Sequence, residues 1–300
     1  MAQDSYDRLA THPWRAPRWD PSPEAGAVPT MLTREEGRLL TWLGAVWARG
    51  AGAVVDLGAF AGGSTARLAD GLVRGGRAGE VEAFDLFTVS EAHKAAFLAP
   101  FPGTDLMPEA RRLLAPWPVT LHRADLAETG WTGGPIEILF IDAMKTPATA
   151  DAIAANFYPS LIPGRSVIVH QDYQHWRRPW IAAQMAHLPG LRPVAWCREN
   201  SVVFAVDRVP GPRDLAAARV GEMGDEDMTA LLREALAHAP HERARRMLAL
   251  SILGLEDRPD CRRPADFSRG RISPARIANL LAQAAIETPP PDRERGRLAS

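Results

Sequence analysis

Two short stretches of this chain gather side chains able to do acid–base chemistry. "IDAMK" sets Asp142 and Lys145 three positions apart, and "HQDYQHW" sets Asp172 and His175 at the same interval. A carboxylate beside an amine or an imidazole can align a polar group and help remove its proton. His175 could take a proton near neutrality without help, whereas Lys145 would first need its pKa lowered by burial or by a neighbouring cation. Lys145 stands out for a second reason: of 35 lysines and arginines, only Lys94 and Lys145 are lysine. A third stretch, "VVDLGAFAGGST", holds Asp56, Gly58, Gly62, Gly63, Ser64 and Thr65. Glycines beyond the carboxyl end of a strand let backbone approach a ligand closely. Neither phosphate-binding pattern fits. Phe60 stands where a dinucleotide turn needs its second glycine, and Gly63 runs directly into Ser64 without the lysine of a P-loop.

The elements that would position these residues are legible as hydrophobic periods. "TREE" offers a capping box, Thr33 with Glu36, ahead of Leu39, Leu40, Trp42, Leu43, Val46 and Trp47 at helical spacing. Apolar runs at "AGAVVDLG", "EVEAFDLF", "VTLHRADL", "IEILFIDA" and "SVIVHQDY" read as five strands with helical patterns between them, one of them from Ala148 to Tyr158. "LRPVAWCRENSVVFAVDRV" reads as two strands joined by a tight polar turn at Arg198 to Asn200. The alternation predicts an α/β fold, a Rossmann-like open sheet, mainly parallel, closed by a C-terminal antiparallel hairpin. Parallel neighbours would bring the Asp142 and Asp172 loops together. Asp56, Asp85, Asp125 and Asp142 would each close a strand, and Asp85 falls where a carboxylate can accept hydrogen bonds from two ribose hydroxyls.

The glycine turn, with its acid, one residue, then glycine, resembles the first motif of class I S-adenosylmethionine-dependent methyltransferases. The resemblance covers roughly residues 31–207. It implies that Gly58 approaches the methionine portion of S-adenosyl-L-methionine, that Asp56 helps hold its amino group, and that Gly62 and Gly63 complete the turn. Ser64 and Thr65 would cap the following helix or bond the carboxylate. Asp85 would hold the ribose, Asp125 would lie near the adenine amino group, and Asp142 would face the methyl donor. The two charged loops resemble the catechol and macrocin types of O-methyltransferase. There, acids from the fourth and fifth strands hold magnesium (Mg2+), which orients two acceptor oxygens. Carried over, Asp142 and Asp172 would be ligands, Lys145 would match the catechol-type base, and His175 lies one position from the sugar-type histidine. Gln171 stands where the sugar type has a second aspartate, which leaves metal use open.

With 46% hydrophobic and 24% charged residues the composition is that of a globular chain. A net charge of −1 steers it to neither nucleic acid nor an anionic membrane. No apolar run is long enough for a signal peptide or a membrane span, and Cys197 and Cys261 make no disulfide framework, so a cytoplasmic setting is expected. Residues 1–30 read as an irregular arm because of Pro13, Pro17, Pro21, Pro23 and Pro29, with Trp14 and Trp19 suggesting that it docks. Residues 31–209 form the expected methyltransferase domain. Residues 210–300 form a helical extension, with helical spacing near 213–223, 225–238, 241–254 and 273–286 and a disordered tail, "TPPPDRERGRLAS". Residues 88–118 and the extension are expected to shape a pocket for a small-molecule acceptor or a homodimer contact. Trp176 and Trp180 either line that pocket or pack in the core, and His170 reads as a packed residue. The rival readings are a non-methylating protein of the same fold, a cephalosporin-hydroxylase-like enzyme or a binding scaffold, and a helical interaction module centred on 210–300.

Overall fold

The computed structural model of the chain describes residues 2–91, 98, 103–268, 270 and 272–287. Lys94 and the tail from 288 onward, expected to be disordered, lie outside the described residues, as does part of the 88–118 segment.

Seven strands form one sheet: β1 (Ala53–Leu57), β2 (Val81–Asp85), β3 (Val119–Arg123), β4 (Ile136–Ile141), β5 (Val167–His170), β6 (Leu191–Trp196) and β7 (Val202–Val206). Their order is β3-β2-β1-β4-β5-β7-β6. β7 alone runs antiparallel, pairing with β5 on one side and β6 on the other. This is the expected Rossmann-like open sheet with its closing hairpin. The order reverses between β1 and β4, and such a switch point is where open α/β sheets leave a crevice at their carboxyl ends.

Both faces of the sheet are covered, so the central strands read as continuous apolar runs. Ile138 and Phe140 of β4 point to a layer containing Leu39, Trp42 and Leu68. Leu139 and Ile141 point to the opposite layer, with Ile153, Phe157, Trp180 and residues of the C-terminal helices. The first layer is built from α3 (Arg34–Trp42) and α4 (Gly63–Arg74). The capping box at Thr33 forms as the sequence predicts: its hydroxyl accepts from Glu36 N, and the Glu36 carboxylate accepts from Thr33 N at 2.9 Å. Beyond Trp42 the helix widens to a π-turn, Ala48 N reaching Leu43 O at 2.9 Å. There Gly44 crosses Gly71 of α4 so closely that a Cβ on either would strike the other helix's backbone.

The arm is not irregular throughout. It begins with α1 (Ala2–Ala10), and a short α2 (Pro23–Ala27) precedes α3. Tyr6, Leu9 and Trp14 are buried in the first layer, and Tyr6 OH donates to Ser166 O at 2.8 Å. The reason is an apolar pair at i and i+3 that places one face of an otherwise polar helix on the sheet. The opposite layer holds α6 (Pro147–Phe157) and α7 (Pro179–His187), whereas α5 (Met107–Leu114), which leads into β3, packs Leu114 with Ala66 of α4. After β7, helices α8 (Pro212–Ala217), α9 (Asp225–His238), α10 (Glu242–Asp257) and α11 (Pro274–Glu287) follow, the first ending at Ala217, short of the expected 223. Met228, Leu232, Leu248 and Ile252 enter the same apolar cluster as β4, β5 and α7. Among the described residues, no helix is long and apolar enough to cross a membrane.

The Gly44–Gly71 crossing gives a direct test of packing. Gly71→Ala should cost about 1–3 kcal/mol, since backbone must move to admit the methyl group. Urea unfolding measures this, and an unchanged midpoint would mean that the crossing carries no constraint.

Candidate active site

Asp56, Gly58, Asp85, Asp125, Asp142, Gln171 and Asp172 sit at or within two residues of a strand's carboxyl end, Lys145 follows β4 by four, Gly62 to Thr65 open α4, and His175 lies five beyond β5. Asp56, in β1, is completely buried. Its Oδ2 accepts from Ser64 Oγ at 2.7 Å and Thr65 Oγ1 at 2.6 Å, while Oδ1 has no partner among the described residues. Burial pushes its pKa up to about 7, against the pull of the two hydroxyls, and nearby Asp142 and Asp85 add repulsion. Ser64 and Thr65 therefore do not cap α4, whose cap residue Gly62 offers no side chain. Gly58 follows at φ +99°, and a Cβ there would lie 2.8 Å from the Asp142 carbonyl oxygen. Only glycine allows the β1 turn to lie against the β4 loop in this way. Gly63 is equally confined, by Pro29 O at 2.5 Å from where its Cβ would be.

Asp85 ties down the neighbouring turn. Its Oδ2 accepts from Phe60 N at 2.9 Å and its Oδ1 from Phe87 N at 2.6 Å. Both phenylalanines sit at φ +52°, a strained backbone region for a bulky side chain. Burial raises the Asp85 pKa, and these two N–H groups oppose the rise. Each carboxylate oxygen keeps a second lone pair for a ligand hydroxyl. Asp125 is exposed two positions past β3 and accepts from Ala127 N at 2.9 Å.

The two charged loops do meet. Lys145 Nζ donates to Asp142 Oδ1 and, at 2.8 Å, to Asp172 Oδ2. Arg178 Nη1 donates to the same Asp172 oxygen, also at 2.8 Å. Asp172 reaches this position through a left-handed φ of +63°. Burial raises Asp142, and Lys145 only partly offsets it. Asp172 is held low: burial opposes this, but Lys145 and Arg178 prevail. Burial also works against the Lys145 ammonium, yet Asp142 and Asp172 outweigh it and raise its pKa. Arg178 escapes sequence reasoning because arginine is this chain's ordinary cation, and nothing marks one arginine among many.

Gln171 turns elsewhere. Its amide oxygen meets Ser201 Oγ, which also donates to Glu36 Oε1 at 2.7 Å. His175 lies beside the cluster with Nδ1 accepting from Arg177 N at 3.3 Å, and burial and Arg178 lower its pKa. His170 is fully buried against Tyr158 and Phe204, and burial lowers its pKa to about 4. Trp176 and Trp180 are core residues, the latter donating to Met144 O at 3.0 Å.

Two cavities meet at this edge. One of ≈250 Å³ is lined by Gly58, Asp85, Thr88, Asp125, Asp142 and Lys145. A much smaller one, ≈20 Å³, lies between Gly58, Gly63 and Ser64 and the strap from Pro29 to Leu32. Gly58 and Asp142 border both. Larger hollows of ≈460 and ≈470 Å³, one between α9 and α10 and one beside β6, are not lined by any of the four strand-end acids.

The residues fit the two implied groups unequally. An elongated cofactor with a cationic amino end suits the charge of this edge: Asp56, which lines neither cavity, holds Ser64 on the wall of the smaller one and keeps Oδ1 without a partner among the described residues. A divalent metal does not suit the carboxylate pair, because Lys145 bridges it and Arg178 already neutralises Asp172. Among the described residues, no three Asp, Glu, His or Cys side chains gather as a metal set.

No protein-family model and no curated protein matches the chain. Among solved structures, 31 chains match. The chain is similar to the O-methyltransferase NovP, at 14% identity over 60% of this chain and 82% of that one, with a TM-score of 0.42. It is similar to the Podospora anserina methyltransferase PaMTH1 bound to S-adenosylhomocysteine, at 12% identity over 69% and 88%, TM-score 0.44. It is also similar to an rRNA methylase from Streptococcus thermophilus, at 16% identity over 58% and 96%, TM-score 0.37. At such identities and scores these likenesses carry no weight on activity, and the fold rests on the strand order.

Asp56 makes the site's electrostatics testable through stability. Its folded pKa of about 7 lies above the ordinary 3.8, so the folded state keeps a proton that the unfolded chain has released. Its contribution to stability therefore falls as pH rises from about 4 to about 7 and is fully lost above that. Asp56→Asn, which keeps an acceptor for Ser64 and Thr65, should gain on the parent between pH 5 and pH 8, by on the order of 2 kcal/mol. A difference that does not change with pH in urea unfolding would refute the buried, proton-binding carboxyl.

Proposed function

We propose that this chain is an S-adenosylmethionine-dependent methyltransferase acting on a hydroxyl of a small molecule. The observation that supports the reading is a pair of cavities that share Gly58 and Asp142, with Asp85 on the wall of the larger and Asp56 buried behind Ser64 on the wall of the smaller. The bound cofactor would supply an electrophilic methyl group on a sulfonium. Asp85 and Asp125 would receive its ribose and adenine in the larger cavity. Asp56 would face the amino group at the other end, with Gly58, Gly62 and Gly63 shaping the turn and Ser64 and Thr65 fixing Asp56. Asp142 and Lys145, at the seam, border the place where an acceptor oxygen would approach.

Proton removal falls to His175 in this reading. The raised pKa of Lys145 keeps it charged at neutral pH, which suits a fixed cation better than a base. His175, with its lowered pKa, is neutral there. Its Nδ1 is occupied by Arg177 N, so pick-up at Nε2 requires the other tautomer.

Calorimetry should show S-adenosylhomocysteine binding in the micromolar range, about −8 kcal/mol. Asp85→Ala should weaken it by roughly 1.5–3 kcal/mol, through lost ribose contacts and a loosened Phe60 turn. Unchanged affinity would remove the ribose assignment, and binding of NAD instead would overturn the reading. Binding without methylation of any hydroxylated acceptor would point to the scaffold alternative.

With an acceptor in hand, His175→Ala should lower turnover about 10²–10⁴-fold, and the parent's rate should rise through a midpoint below that of free histidine. If the loss is only a few-fold and the pH profile is unaltered, proton removal does not depend on this imidazole.

A further inference from the structure

The carboxylate pair expected to hold a metal already has an occupant. Lys145 Nζ contacts one oxygen of Asp142 and one of Asp172, the two groups a bridging cation would need. Arg178 adds a second positive charge on Asp172 Oδ2 at 2.8 Å. Two carboxylates and two cations leave the cluster neutral. A divalent ion would either displace Lys145 or stand beside two like charges in a partly buried site, where repulsion is weakly screened. The expected third ligand is also engaged, since Gln171 meets Ser201 Oγ, which is in turn bonded to the buried Glu36 carboxylate. Gln171 brings no charge that would favour a metal over the lysine.

An ammonium has three donors, and two are used here. The Lys145 side chain is 47% exposed and lines the ≈250 Å³ cavity, which places its third N–H within reach of a ligand there.

We infer that Lys145 is a built-in replacement for the divalent cation, holding Asp142 and Asp172 together and offering its remaining N–H to the acceptor oxygen. The inference rests on the methyltransferase reading for the identity of that oxygen, but the cation seat itself does not. It also narrows the substrate class. A metal can chelate two adjacent acceptor oxygens, whereas one N–H serves one. The site therefore suits acceptors with a single hydroxyl and gains nothing from a vicinal pair.

The test is manganese titration of the full chain by calorimetry, with no cofactor present. The parent should show no binding that Asp142→Asn or Asp172→Asn abolishes. Lys145→Ala should open the seat and bind manganese about tenfold tighter or more than the parent, because a positive charge has been removed from between two carboxylates. Adding Asp172→Asn to Lys145→Ala should remove that gain. Circular dichroism checks folding, and Lys145→Gln substitutes if the alanine variant does not fold. Parent binding that either Asp→Asn change abolishes would overturn the inference, as would a folded Lys145 variant with no gain. Once an acceptor is known, turnover should survive chelator and favour a monophenol at least as well as a catechol. Failure of S-adenosylhomocysteine to bind would count against the methyltransferase reading alone, since the manganese titration involves no cofactor.

Discussion

The cleft at the carboxyl edge of the sheet depends on a close approach between two pieces of backbone. Gly58 leaves β1 and lies against the carbonyl of Asp142, just past β4, at a separation that no side chain would permit. Asp142 N in turn donates to Leu57 O at 2.7 Å, continuing the β1–β4 ladder by one bond beyond the strands. This contact sets how far the two turns can separate and so fixes the seam of the cavities. Asp85 then pins the outer wall by holding Phe60 and Phe87 in left-handed backbone, and the Pro29–Leu32 strap closes over Gly63. Strain at two phenylalanines persists because the surrounding hydrogen bonds over-determine it.

Charge at the seam follows a different logic from charge on the surface. Surface arginines such as Arg192 and Arg112 each pair with a single acid, Asp207 and Glu109. Such pairs contribute little to stability and are screened by salt. The seam instead assembles acids from two loops around one lysine and one arginine, partly buried except at the lysine. Asp56 takes its side-chain hydrogen bonds from hydroxyls and feels Asp142 only as repulsion. The result is two carboxyl environments within one cleft, one satisfied by cations and one left with an unpaired oxygen.

Much of this was legible in the residues, for identifiable reasons. All seven strands announced themselves, five as short apolar runs and two as the arms of a hairpin, and the acids that stop the first four marked the carboxyl edge. The capping box at Thr33 and the helices after Pro210 followed from local pattern in the same way. What escaped depends on distance along the chain. Glu36 and Ser201 are bonded 165 positions apart, and Lys145 meets Asp172 across 27. Spacing within a loop showed that Asp142 and Lys145 could touch, but it could not show that Lys145 would fill the gap to Asp172. The arm was misjudged because its prolines, from Pro13 onward, drew attention from the proline-free helix that precedes them.

That helix has a consequence for the order in which the molecule can be completed. Tyr6 bonds to Ser166 and to Val206, partners 160 and 200 residues further along. During synthesis the arm emerges long before β5 and β7 exist, so beyond its aromatic contacts with Trp42 and Trp47 its apolar face waits for the sheet. Contacts of such sequence separation form late and slowly, because a long loop must close first. Trp14, Trp42 and Trp47, which pack in series, can meet one another early, but the sheet residues of their layer come later. The arm acts as a latch, engaged only when the central sheet has been assembled behind it.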